Sequence, residues 1–181
     1  MIVVGNEDRN LLDEMFRLRA RVFHDRLHWG VDVVYGMERD MYDDLRPIYI
    51  LDVDGSVVRG SLRLLPTTGS TFSELVFPSE MVSAPTIWEC SRLCVDDSSN
   101  MADVASNLLI AVGRLSVDRG IETIIASTYT HMVFLCRVIG FDVQVLGKTD
   151  RFGKRVFLCA ARMDAETIDR IENGQGKVHR S

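Results

Sequence analysis

Apolar and polar positions follow periods that change several times along this chain, and each change marks an element. From Asn10 to Phe23 the apolar residues Leu11, Leu12, Met15, Leu18 and Val22 recur at helical spacing, which predicts a helix. Ile48 to Val53 and Val57 to Leu65, separated by Asp54-Gly55, read as a β-hairpin. In its second strand Arg59, Ser61 and Arg63 share one face, and Val58, Leu62 and Leu64 share the other. Ile87 to Val95 reads as a strand. Asp97-Ser98-Ser99 then gives a cap signal for a helix through Met101, Val104, Ala105, Leu108, Leu109, Val112 and Leu115, which Gly120 stops. A buried strand over Ile121 to Ala126 follows, then a helix from Tyr129 to Ile139 that ends at Gly140. Phe141 to Leu146 and Val156 to Ala161 read as strands joined through a turn rich in Gly, Lys and Arg. Met1 to Val4 suits an edge strand, and Ala165 to Glu172 a closing helix.

Two stretches, 24–44 and 66–86, carry no periodicity. The first holds Trp29, Tyr35, Tyr42 and a cluster of acids, and long loops in compact domains are usually functional or disordered. Its aromatic residues argue for order. The element sequence describes an α/β arrangement on a mixed sheet, in one domain spanning 1–181.

Composition narrows the classes. Of 181 residues, 46% are hydrophobic and 26% charged, which suits a soluble globular domain. A net charge of −5 with no basic stripe argues against nucleic acid as the partner. There is no apolar run long enough for a membrane helix, and no charged start followed by an apolar stretch, so the expectation is a cytoplasmic protein. Cys90, Cys94, Cys136 and Cys159 lack metal or redox spacing and read as reduced core residues. His24 and His28 are four apart but have no carboxylate or cysteine at a suitable spacing, so no metal is expected.

The charges are less ordinary. Glu89 and Arg92 sit inside the apolar run Ile87 to Val95, where charge is costly unless it is paired. Strict alternation places these two on opposite faces. If both serve one site the strand must be irregular, and the expectation is a bulge between Cys90 and Leu93. Arg19 falls on or beside the apolar stripe of the first helix, either snorkelling to water or aimed into a pocket. Glu38-Arg39-Asp40-Met41-Tyr42-Asp43 reads either as a solvated acidic loop or as the partner of arginines such as Arg19 and Arg63.

Taken together, Leu18-Arg19-Ala20-Arg21-Val22-Phe23, Trp29, Glu38-x-Asp40-x-x-Asp43, Ser61-Leu62-Arg63-Leu64 and Glu89-x-x-Arg92 resemble the acyl-homoserine-lactone synthases, the LuxI-type autoinducer synthases. The likeness runs from about Met1 to Phe157. The element order also resembles the GNAT acyltransferase fold. That fold's glycine-bearing phosphate loop is replaced here by Asp97-Ser98-Ser99-Asn100-Met101-Ala102, which argues against an ordinary acetyl-CoA enzyme.

The resemblance implies a GNAT-like acyltransferase fold with a mixed central sheet flanked by helices. It implies S-adenosylmethionine as a substrate, with no cofactor, and an acyl carrier protein thioester (or acyl-CoA) as donor. Acylation of the amine, then lactonisation with release of methylthioadenosine, would yield the quorum-sensing signal. On this reading Glu89, oriented by Arg92, is the general base, and Arg63, Asp40 and Asp43 are catalytic. Arg19, Phe23, Trp29 and Glu38 surround S-adenosylmethionine, since guanidinium suits its carboxylate and ring faces suit its sulfonium. Ser127, Thr128, Thr130, Met132 and Phe134 map to the acyl pocket, although Met132 and Phe134 equally suit plain core packing. Lys148, Arg151, Lys154 and Arg155 suit docking of an acidic carrier protein, or simply a solvated turn. The acids and arginines also suit one structural salt-bridge network. Acylation of a different amine, or a sensor that binds without turnover, are the competing functions.

Overall fold

The computed structural model describes residues 1–5, 7–151 and 153–178. Its elements, in chain order, are β1 (Ile2–Val4), α1 (Arg9–Arg19), a π-helical turn (Ala20–Arg26), β2 (Val33–Val34), β3 (Met37–Glu38) and a 3₁₀ turn (Met41–Asp44). There follow β4 (Ile48–Asp54), β5 (Val57–Pro66), α2 (Phe72–Val76), β6 (Ile87–Val95), α3 (Met101–Arg119) and β7 (Thr123–Thr128). The chain closes with α4 (Thr130–Ile139), β8 (Val143–Arg151), β9 (Lys154–Arg162) and α5 (Ala165–Val178). It divides into two compact units, 1–65 with 92–108, and 66–91 with 109–181. Strand β6 and helix α3 run from one into the other. None of the described helices is long and apolar enough to cross a membrane.

The first unit is built on β1, β4, β5 and the end of β6. β1 and β4 are antiparallel, with Ile2 opposite Asp52 and Val4 opposite Ile50. β4 and β5 form the expected hairpin, from Ile48 opposite Leu64 to Asp54 opposite Val57. Gly55 turns it at φ 58, a conformation that suits glycine because there is no Cβ to clash. Helix α1 starts where Asp8 accepts the Asn10 and Leu11 amides. It lays Met15, Phe16 and Leu18 against Tyr49, Leu51, Val53, Val58 and Cys94. Each such burial stabilises by roughly 1.5–3 kcal/mol. Gly60 is a close-approach position: a Cβ there would lie 2.5 Å from Val104 Cγ1 and 3.1 Å from the Cys94 carbonyl oxygen.

Two expectations change here. The helix does not stop at Phe23 but widens at Ala20 into a π-helical turn reaching Arg26, and this turn buries both Val22 and Phe23. The stretch 24–44 is not featureless. Tyr35 and Gly36, at φ 53 and 74, join β2 to β3 in a two-residue turn of the type hairpins prefer.

The second unit is mixed. β6 runs parallel to β7, with Ile87 opposite Thr123 and Glu89 opposite Ile125; β7 is antiparallel to β9, and β9 to β8. Val76 and Phe77, at and just after the end of α2, pack with Val156 and Leu158 of β9. α2 escaped the sequence reading because five residues are too few to display a period. β7 lies two residues later than expected, since the Ile121 amide closes the end of α3 on the Ser116 carbonyl. The cap of α3 is Asn100, whose Oδ1 accepts the Ala102 amide at 3.1 Å, rather than Asp97 to Ser99. Ser98 instead closes a turn on Asp96. The β8–β9 hairpin is longer than expected, pairing as far as Arg151 with Lys154, and it is irregular between Val145 and Gly147.

Candidate functional site

In the first unit six charged side chains converge. Arg19 donates from Nε to Glu38 Oε2 at 2.5 Å, and from Nη1 and Nη2 to the two oxygens of Asp43 at 2.9 and 3.0 Å. Arg63 bridges Asp40 and Asp43, with Nη1 to Asp43 Oδ1 at 2.9 Å and Nη2 to Asp40 Oδ2 at 3.1 Å. Arg92 reaches Glu38 Oε1 at 3.0 Å and Asp40 Oδ2 at 2.8 Å. Three guanidiniums thus meet three carboxylates, and the formal charge closes to zero. This is how buried charge becomes tolerable.

The sequence makes this convergence possible in identifiable ways. Arg19 sits at the end of α1 on the core-facing stripe, and is aimed inward rather than snorkelling. Asp40 opens the 3₁₀ turn through a reciprocal cap: it accepts the Tyr42 amide, while Asp43 Oδ2 accepts the Asp40 amide at 2.8 Å. Arg63 extends from β5, with its guanidinium 5.4 Å from the Tyr42 ring centre. Arg92 lies in β6 at φ 56, a left-handed residue inside a strand, within the span Cys90 to Leu93 where a bulge was expected. Tyr49 was missed: its hydroxyl donates to Asp43 Oδ1 at 2.7 Å. A tyrosine on an aliphatic strand carries no signal of such a role.

Burial disfavours an ionised Asp43, but hydrogen bonds and charge from Arg19, with charge from Arg63, hold its carboxyl well below the usual range. Burial likewise opposes the charge on Arg19, yet Asp43 and Glu38 raise its proton affinity further. Burial pushes the Tyr49 hydroxyl up, and the adjacent Asp43 adds to it. Within the cluster, only Asp40 and Arg92 reach solvent, at 18% and 17% side-chain exposure. Arg92 also stands 5.4 Å from the centre of the Phe23 ring, which stacks on Trp29 at 4.9 Å and 16°. Phe23 is buried, and Trp29 is half-buried outside it.

The second unit holds Glu89, which is buried on β6. Its Oε2 accepts the Ser73 amide at 2.6 Å. Ser73 is itself buried, and its Oγ accepts a hydrogen bond from Ser127 at 2.9 Å. Ser127 and Thr128 are half-buried at the end of β7, Thr130 is exposed, and Met132 is half-buried. Phe134 is 69% exposed, so it does not line an enclosed pocket. The helical period accounts for this, because Val133 is the residue α4 turns inward.

Lys148, Arg151, Lys154 and Arg155 do not form one patch. Register pairs Arg151 with Lys154, while Lys148 shares the opposite face with the Asp150–Arg155 ion pair. Lys154 lies 5.5 Å from the Tyr129 ring centre. Among the described residues no group of three or more His, Cys, Asp or Glu side chains is arranged to hold a metal.

A mixed sheet flanked by helices, with a buried acid on a central strand, defines an acyltransferase-like protein of the GNAT type. Comparison with known proteins agrees. The fold is similar to an N-acetyltransferase from Lactobacillus plantarum, with a TM-score of 0.68 over 91% of this chain and 98% of that one at 17% identity, which speaks for the fold alone. The chain is 43% identical over 154 residues to an acyl-homoserine-lactone synthase of Rhizobium etli, covering 78% of this chain and 72% of the relative. It is similar, with a TM-score of 0.88 and 28% identity over 97% and 89% of the two chains, to a CoA-dependent acyl-homoserine lactone synthase, BjaI, solved with SAM and isopentyl-CoA. The autoinducer synthase family model matches residues 5–172. The chain belongs to the autoinducer synthase family, and its activity is that of an acyl-homoserine-lactone synthase.

Proposed function

We propose that the chain makes an N-acyl-L-homoserine lactone from S-adenosylmethionine and an acyl thioester, carried by an acyl carrier protein. The substrate amine attacks the thioester carbonyl and expels the thiol. The methionyl carboxylate then displaces methylthioadenosine from the γ-carbon and closes the lactone. The amine arrives as an ammonium, and a base must take its proton before it can attack. Glu89 has that role: it is buried, and its orientation is fixed by the Ser73 amide.

The observation that carries the reading is the closed charge network with its two partly exposed members. Arg19, Glu38, Asp43 and Arg63 are committed to one another and hold the 3₁₀ turn in place. Asp40 and Arg92 are the members that meet substrate, Asp40 facing the ammonium and Arg92 the carboxylate. Arg92 Nε, closed to solvent, has no hydrogen-bond partner among the described residues. Trp29, backed by Phe23, offers a ring face to the sulfonium. The catalytic and structural readings of the cluster are therefore layers of one device.

Incubation of the full chain with S-adenosylmethionine and acyl thioesters of acyl carrier protein or of CoA, from butanoyl to dodecanoyl, followed by mass spectrometry, tests the reaction. Release of methylthioadenosine together with an acyl lactone is expected. Absence of both with every thioester, or binding without turnover, defeats the proposal. Turnover only with the CoA thioesters would keep the chemistry and replace the donor. Glu89→Gln should lower turnover by about 10²–10⁴-fold while leaving the fold intact.

A further inference from the structure

Glu89 is held by a residue that the sequence did not single out. Parallel pairing sets Glu89 opposite Ile125, so Ser127, two residues along β7, lies on the same sheet face as Glu89. Ser73, on α2, meets both. Its amide donates to Glu89 Oε2 at 2.6 Å, and its hydroxyl oxygen accepts from Ser127 at 2.9 Å. One residue therefore grips the carboxylate with its main chain and β7 with its side chain.

This matters because α2 spans only Phe72–Val76. A helix that short has no stability of its own, and its position depends on tertiary ties. Among the described residues Val76 and Phe77 lie in the apolar cluster with β9, Phe72 packs against it, and Ser127 bonds to Ser73. The last of these ties the residue whose amide meets Glu89. We infer that Ser73 and Ser127 are positioning residues for Glu89, and that the Ser127 hydroxyl serves this tie rather than contacting the acyl chain. The inference rests on Glu89 being the base. A base displaced by an ångström loses much of its effectiveness, so the tie acts on turnover through the carboxylate.

Ser127→Ala and Ser73→Ala should each lower kcat about fivefold, the value of one hydrogen bond, with KM for both substrates unchanged and Tm lowered by no more than about 4 °C. Ser127→Thr, which keeps the hydroxyl, should restore the rate. In a Glu89→Gln background, Ser127→Ala should add nothing to the loss, because the two act as a unit. Equal losses from Ser127→Ala with and without Glu89 would overturn the inference, as would an unchanged kcat. A near-normal rate for Glu89→Gln alone defeats the base assignment itself, and is seen without any serine variant.

Discussion

Arg19 and Asp43 meet through two parallel hydrogen bonds, at 2.9 and 3.0 Å, with both side chains closed to solvent. The planar guanidinium matches the carboxylate fork, and its Nε is left for Glu38. An ammonium at this position cannot reproduce that geometry. Arg19→Ala leaves two buried carboxylates short of a partner and should destabilise the protein by about 3–5 kcal/mol. Arg19→Lys should fall between Arg19→Ala and the parent. Urea unfolding monitored by circular dichroism gives the order, and equal midpoints for all three would show the clamp to be energetically idle.

Asp43 makes this stability pH-dependent. Its carboxyl is held below the ordinary range in the folded protein, so the unfolded chain takes up the proton first as pH falls. The contribution is fully present above the unfolded value, near pH 4, and is lost as pH drops toward the folded one. The urea midpoint should therefore decline below about pH 4. Asp43→Asn should lower the midpoint at neutral pH and flatten that acid decline. A parallel decline in the variant would assign the acid sensitivity to other carboxylates.

The sequence showed which charges were unusual, but not how they divide. Burial of Arg19 was one of two readings its place beside an apolar stripe allowed, and burial of Arg63 was not legible, because alternation set it on the face opposite the apolar residues; an irregularity near Arg92 followed from counting alternation between Glu89 and Arg92. The β4–β5 hairpin and the helix ending at Gly140 followed from turn and cap chemistry. Ser73 was hidden for a physical reason. It works through its backbone amide in a five-residue helix, and neither feature leaves a mark in side-chain pattern. The widened turn after Arg19 was equally hidden, because a π-helical turn continues the helical pattern with one extra residue. The cationic cluster near Lys148 divided between two faces because β pairing continues to Arg151 and Lys154, beyond the expected strand ends.

Arg92 holds a left-handed conformation within β6, and a side chain there costs roughly 1–3 kcal/mol. Its bonds to Glu38 and Asp40 help hold that geometry. Arg92→Ala keeps the strain and loses the bonds, whereas Arg92→Gly loses the bonds and relieves the strain. The glycine variant should be the more stable of the two by about 1 kcal/mol, with both losing turnover alike. Thermal unfolding and a methylthioadenosine release assay separate these effects. Alanine at or above glycine in Tm would mean that β6 relaxes to a regular strand once the arginine is gone.

Carrier-protein docking should follow the division of charge across the β8–β9 hairpin. Arg155 is partnered by Asp150 on the face that Lys148 shares, which leaves that face with less net positive charge. Arg151 and Lys154 are register partners on the other face, and Lys154 adjoins Tyr129 at the start of α4. An acidic carrier is attracted most by the face with the greater net positive charge among the described residues, and such attraction acts mainly on encounter. Lys154→Glu should therefore raise KM for the carrier thioester several-fold at low salt, and Arg151→Glu should do the same. Lys148→Glu should do little, and KM for S-adenosylmethionine should hold in all three. The effect should shrink as salt rises, because the Debye length falls to about 8 Å at physiological ionic strength. Equal effects from Lys148 and Lys154 would mean that the carrier meets the edge of the hairpin rather than one face.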